Sequence, residues 1–502
     1  MRLSYQSLLL SSSFSIAAAQ GAKPSLDQAA QQLFRDRLFQ TNLRGPRWTG
    51  NDNQNVLTAT VAAAMEVAGL TVQTLDTQFS RWDPRWWSLS LKLTDGTTKA
   101  LPTTGFWPYS GDSGLKGVTA PLHDAGSYTL FTNETANLDS INLSNLPSNG
   151  SILFFDNPSP TRNYSAPEYT LLGSSVPPSK IPELGNLTNP HWQSAKTLDF
   201  AALKTQGVAG VIASWVNTSD ENGALQFLPN SGAPGDGSVH YDVPSVYVGN
   251  STGETIRKLA RRGRIASATI VLDAPTLEAT TTTVIGHLAG TKGSNETVLV
   301  YTHSDGPSII EENGPILLLT MAEYFAAHPL SINIDFVITT GHMSGGHVNE
   351  SSWMTARPDI LANAKAAIVA EHFGAIEWKD NHASGKPIYE PTGRFEPMWT
   401  MANSSAESSH LHELYLDAFE GTTRHLRMAL LADGHWYGAG GSSTLGMSHI
   451  PTVGIIPQPD YLWAAMSDGG WSKLDVDLAV TQINVMLRLI TSIDAQFVAG
   501  TL

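Results

Sequence analysis

From Val284 to Ile493 short β-branched runs alternate with longer helical ones, and this alternation restricts the chain more than any other feature. Strand-like runs stand at Val298–Tyr301, Ile332–Ile338, Ala367–Ala370 and Thr452–Ile456. Helix-like runs stand at Ile316–Ala327, Ser408–Ala418 and Val476–Ile493. Such a pattern folds as an α/β domain around a largely parallel sheet. In an open sheet of this kind, residues just past the carboxyl ends of the strands converge on one crevice. Three of the runs end in polar clusters, reading THSD at 302–305, TTGHMSGGH at 339–347 and AEHF at 370–373. His303, Asp305, Glu311, Glu312, His342, His347, Glu371 and His372 are therefore expected to meet. Imidazoles and carboxylates gathered in this way point to metal or acid–base chemistry.

The composition narrows the options. There is no cysteine, so disulfides, thiol nucleophiles and cysteine-held metals are excluded. Stability has to come from packing, which a chain of 502 residues can supply. At 41% hydrophobic and 15% charged, the chain is a folded one. A formal net charge of −15 argues against a nucleic-acid partner, because phosphate binding needs basic patches. The one dense basic group, around Arg257, Lys258, Arg261, Arg262 and Arg264, reads as a solvated helix face.

Arg2, the apolar stretch Leu8–Ile16 and the small residues Ala17-Ala18-Ala19 are expected to form a signal peptide over 1–19, which implies a secreted protein. Asn-X-Ser/Thr sequons at Asn133, Asn142, Asn149, Asn163, Asn186, Asn217, Asn250, Asn295, Asn349 and Asn403 suit a glycoprotein. No later segment reaches the roughly 18 apolar residues of a membrane span, so no membrane partner is expected.

Residues 24–70 read as two helices separated by Gly45-Pro46. Arg81–Leu93 reads as one extended segment whose Trp82, Trp86 and Trp87 pack inside the protein. Residues 115–275 are rich in Ser, Asn, Gly and Pro and carry short apolar runs at 152–155, 208–215 and 243–248, the pattern of a small β-rich domain. The expected organisation is an N-terminal part of the α/β domain over 20–114, the β-rich insertion over 115–275, and the rest of the α/β domain over 276–502.

Taken in order, several segments resemble the secreted zinc aminopeptidases that carry an inserted protease-associated domain. Gly286-His287-Leu288-Ala289-Gly290 followed by Val298–Asp305 is similar to that family's entry into its active site. Leu203–Trp215 and Val243–Val248 are similar to parts of the protease-associated domain, and His449-Ile450-Pro451-Thr452-Val453-Gly454 resembles a late Gly-Ile-Pro strand with His in place of Gly. The resemblance implies an α/β/α sandwich with a mostly parallel central sheet plus the inserted domain. It also implies zinc and a small-molecule or peptide substrate. Residue by residue, it implies His303 as a metal ligand, Asp305 as the carboxylate orienting it, Glu312 as a bridging ligand and Glu371 as a further ligand.

Two positions depart from that pattern. Where the family has a Glu-Glu pair, base and ligand, this chain has His342-Met343. Where the family has a late His, Gln458–Ser467 contains none. A two-zinc centre of the family type thus lacks a ligand and its usual base. Three readings follow. In a rebuilt metallohydrolase, His303, Glu312 and Glu371 hold one metal, with His342 or His372 as an extra ligand and His342 in the general-base position. In a metal-free lyase, isomerase or cyclase, His342, Glu371 and His372 exchange protons with a small molecule. The third reading is a non-catalytic pseudo-peptidase. Glu311 is expected in solvent. Asp433, His435 and the glycine-rich stretch 438–443 are expected to border the crevice, while the absence of a Gly-X-Ser-X-Gly elbow argues against a serine hydrolase.

Overall fold

The computed structural model describes residues 23–127, 150–158, 161–162, 169–170, 187–188, 198–224, 227, 234, 236–396, 398–402, 406–422, 428–431, 450–457 and 459–501. The expected signal peptide, Asp433, His435, residues 438–443 and His449 lie outside them.

Two capped helices open the chain. Helix α1 (Gln28–Asn42) starts at Asp27, whose carboxylate accepts from the Ala30 N–H, and α2 (Asp52–Val67) starts at Asn51, which accepts from Gln54. Each cap satisfies an otherwise orphaned first-turn donor. Strand β1 (Thr71–Trp82) then pairs antiparallel along its whole length with β2 (Thr276–Leu288). β2 leads into the centre of the sheet, made of β3 (Thr297–His303), β4 (Asn333–Thr339), β5 (Ala364–Ala370) and β6 (Thr452–Pro457). These four run parallel in the order β4-β3-β5-β6, with antiparallel strands at either side.

Side chains of a strand alternate between faces. Val298 and Val300 accordingly join the core formed with α1, α2, α3 (Gly314–Ala327) and α4 (Val476–Ala499). Leu299 and Tyr301 join the opposite core with Trp353 and Ile360 of two short helices. The α/β/α sandwich with a parallel centre is thus present as expected. Helix α3 is apolar nearly all round because it lies inside, and truncating Leu318 there would cost about 2–5 kcal/mol. Helix α4 is long and apolar enough to cross a membrane by composition, but its apolar residues belong to the same core.

The extended segment at 81–93 is divided between two units. β1 ends at Trp82, and Trp86–Leu93 belongs to a separate four-stranded sheet with Thr98–Leu101, Ile265–Asp273 and Gly114–Ala120. A five-stranded sheet of Gly105–Phe106, Ser245–Val248, Gly210–Val216, Ile152–Pro158 and Leu122–Ser127 completes this β-rich unit. Its strands therefore begin well before residue 115. Trp82 is buried as expected, whereas Trp86 is exposed. Trp82, Phe106, Tyr109, Phe227 and Met343 form an aromatic cluster joining the two units. The sequons Asn217, Asn295 and Asn349 lie on the exposed surface.

Candidate metal centre

The carboxyl ends of β3, β4 and β5 bring His303, His342, Glu371 and His372 together, and the turn after β3 adds Glu311. His303 is the last residue of β3 and is fully buried. Its Nδ1–H donates to the Asp305 carbonyl at 3.0 Å, leaving Nε2 directed at Glu371, 3.6 Å from Oε2. His372 is arranged in the same way. Its Nδ1–H donates to the Pro457 carbonyl at 2.7 Å, and Nε2 lies 3.2 Å from Glu311 Oε2 and 3.7 Å from Glu371 Oε2. His372 reaches this position with φ +60°, a left-handed conformation that costs a non-glycine residue about 1–3 kcal/mol. His342 lies between two carboxylates, with Nε2 3.3 Å from Glu311 Oε1 and Nδ1 3.5 Å from Glu350 Oε1.

These contacts are close, yet the facing atoms are not hydrogen-bonded. His303 Nε2, His342 Nε2, His372 Nε2 and both oxygens of Glu311 and Glu371 are buried without a hydrogen-bond partner. Burying polar atoms in this state is costly. Ligands about 2.1 Å from a tetrahedral metal lie about 3.4 Å apart, which matches the separations seen here. One atom each from His303, Glu311 and His372 falls within a 4.8 Å group able to hold a cation. Two imidazoles whose Nδ1–H is fixed by a carbonyl, leaving Nε2 free, are the usual metal-ready form. The donor set therefore fits a divalent metal of the zinc type.

Charge coupling in the cluster is strong. Burial pulls His303 down and His342 opposes its charge, but Glu371 and Glu311 prevail and hold it above the ordinary imidazole value. Burial also works against His342, yet Glu350 and Glu311 keep it well above that value. Burial would raise Glu311, but His372, His342 and His303 hold it far below the carboxylate range; Glu371 is lowered against burial by His303 and His372.

Several side chains sit differently from expectation. Glu312 does not face the imidazoles. Its Oε1 pairs with the buried Arg47 guanidinium and its Oε2 accepts from the Ser308 N–H at 3.2 Å. Glu311, expected in solvent, is buried and takes the place toward the histidines. Neighbouring residues in a turn point in different directions, and spacing alone does not tell which one turns inward. Asp305 orients His303 through its backbone carbonyl. Its carboxylate instead accepts from Thr49 Oγ1 (2.5 Å), Met343 N (2.8 Å) and Gly341 N (3.2 Å), and so fixes the loop that carries His342. His347 lies apart from the cluster, with Nε2 3.2 Å from the Val239 carbonyl of the β-rich unit. From the same unit, the Tyr109 hydroxyl donates to the Met343 carbonyl.

Arg47, Thr49, Gln54 and Glu350 also shape the site and belong to none of the polar clusters at the strand ends. Gln54, on the buried face of α2, donates to Ser304 Oγ (2.9 Å) and Thr340 Oγ1 (2.7 Å), tying together the ends of β3 and β4. A glutamine on a largely apolar helix face was a usable signal. Arg47 and Thr49 carry none, because they meet partners more than 250 residues away.

No family model and no curated protein matches this chain. Solved structures do. The aminopeptidase of Aneurinibacillus sp. strain AM-1 matches with TM-score 0.56 and 14% identity, over 92% of this chain and 95% of its own. A zinc aminopeptidase from Bacillus subtilis matches with TM-score 0.59 and 14% identity over the same shares. A peptidase M28 precursor from Shewanella amazonensis matches with TM-score 0.62 and 13% identity, over 93% of this chain and 97% of its own. The protein thus has the fold of the zinc aminopeptidases, and identities this low establish the fold alone.

Proposed function

We propose that this protein is a secreted metal-dependent hydrolase of peptide-like or other small amide and ester substrates. The observation that carries the reading is the convergence of buried, unpartnered Nε2 and carboxylate oxygen atoms at the carboxyl end of the sheet. His303, Glu311 and His372 would hold the metal, with Glu371 beside them. When bound, the metal supplies Lewis acidity toward a substrate carbonyl. The fixed Nδ1–H groups of His303 and His372 keep both rings in place. Hydrolysis places a hydroxyl on the acyl carbon and a proton on the leaving nitrogen or oxygen. His342 moves that proton, with Glu350, on the more open side, exchanging it with solvent. Zinc aminopeptidases of the same fold support peptide-like substrates.

The test is the metal content of the purified full-length protein beside His303→Ala, followed by amide and ester substrates with and without chelator. Zinc bound by the wild type and lost in the variant, with chelator-sensitive turnover, supports the reading. A wild type that binds no metal even when zinc is supplied rules it out.

A second reading draws on the mutual compensation of charge in the cluster, where raised imidazoles face lowered carboxylates. Such a set is electrically satisfied by protons alone. It would suit a metal-free acid–base enzyme acting on a small molecule. Activity insensitive to chelator but lost in His342→Ala would favour it.

A further inference from the structure

Glu311, Glu312 and Glu371 are all buried at this end of the sheet, and they are not alike. Glu311 and Glu371 direct unpartnered oxygens at the histidines. Glu312 is next in sequence to Glu311, and a Cβ on Gly306 would come within 2.4 Å of Glu311 Cγ and 2.5 Å of Glu312 Oε2, so both side chains lie over one glycine. Glu312 Oε1 also lacks a hydrogen bond of ordinary geometry, but the group it faces is its own cation, Arg47, and not an imidazole. The Arg47 guanidinium is 1% exposed, contacts Glu312 Oε1 and donates to the carbonyls of Gly45 and Thr41, the latter at 3.0 Å. The Arg47 backbone is held by reciprocal 2.9 Å hydrogen bonds with Gly306, so the residue is fixed at both ends.

A buried carboxylate has to be paired or bound to a metal. Glu311 and Glu371 together carry two negative charges, which one divalent ion balances. Glu312 is balanced by Arg47, and Glu350 faces His342. We propose that Arg47 is a built-in cation that occupies Glu312 and limits this centre to one metal ion per chain. The inference rests on the metal-binding reading above. Arg47 is a positioning residue. It touches no reacting atom, and it decides which of two adjacent glutamates is available as a ligand. A guanidinium stays protonated at neutral pH even when buried, so Arg47 is a fixed positive charge. In its absence Glu312 would be a buried, uncompensated carboxylate beside a metal centre, and a second cation would compensate it.

The experiment is a zinc titration of full-length, metal-stripped protein, with stoichiometry read by calorimetry and by elemental analysis after desalting. Wild type is expected to bind one ion. Arg47→Met is expected to bind two. The double variant Arg47→Met/Glu312→Gln, in which the buried pair is removed as a unit, is expected to return to one ion with affinity close to wild type. Two ions in the wild type would overturn the proposal, as would one ion in a folded Arg47→Met. Should Arg47→Met fail to fold, the double variant decides. An affinity loss of roughly 10-fold or more there would make Glu312 a participant in the site and overturn the proposal. A wild type that binds no zinc overturns the metal reading itself, a result distinct from a wrong stoichiometry.

Discussion

The two ends of the central sheet carry the same kinds of residue and use them in opposite ways. At the amino end of β4, His287 Nδ1 lies 2.8 Å from Asp335 Oδ1, and Arg357 forms a two-point contact with Asp359 at 2.8 and 2.7 Å while donating to Gln73 at 2.6 Å. Together they line a cavity of about 460 Å³. Among these side chains no buried polar atom lacks a hydrogen bond. At the carboxyl end, imidazole–carboxylate contacts of 3.2–3.7 Å link His303 to Glu371, His342 to Glu311, and His372 to both glutamates, with ring nitrogens and carboxylate oxygens left unbonded. A cluster of His, Asp, Glu and Arg is thus no sign of a site by itself. What separates the two ends is whether the polar atoms have already found partners within the protein.

Substitutions can break or sharpen this contrast. The largest effect is expected for His303→Ala, which should abolish metal binding and turnover together while the fold, read by circular dichroism, persists. His342→Ala should retain the metal but lower kcat by roughly 10²–10⁴-fold, measured on an amide or ester substrate with metal content determined in parallel. Asp305→Ala removes the acceptor shared by Thr49, Gly341 and Met343, leaving buried donors unpaired. It should cost about 3 kcal/mol in denaturant unfolding and weaken activity through displacement of the His342 loop.

The smallest effect belongs to the amino end. His287→Asn should leave turnover and metal content unchanged. The hydrogen bond to Asp335 raises the His287 pKa against burial, with Arg357 opposing and Asp359 adding to it. A raised folded value means that protonated His287 stabilises the fold below its ordinary pKa of about 6.5 and that this contribution fades as pH rises through the raised value. The variant should therefore differ in melting temperature from wild type near about pH 5 and match it near about pH 9. Loss of turnover in His287→Asn would erase the distinction between the two ends.

Much of the fold was legible in the chain. Strand runs such as Val298–Tyr301 and Ala367–Ala370 are apolar on both faces because the strands are buried on both faces, and a parallel sheet leaves that trace in sequence. His303, Glu371 and His372 were legible for the same reason, since each stands at, or within two residues of, a strand end that is predictable. The turn at 304–313 was not. Alternation cannot tell which of Glu311 and Glu312 faces inward once the chain leaves the strand, and the choice depends on Arg47, which reaches the site from the loop after α1.

By itself, then, the sequence determined the α/β class, the parallel centre and the strand ends at which imidazoles and carboxylates collect. These follow from local periodicity and from the handedness and direction of strands, which act over a few residues at a time. Tertiary structure alone decided which of those groups face one another without partners and which are neutralised by Arg47 or anchored by Thr49 and Gln54. Burial makes every unpaired charge costly, and the partner that relieves the cost is chosen by proximity in space, across more than 250 residues of intervening chain.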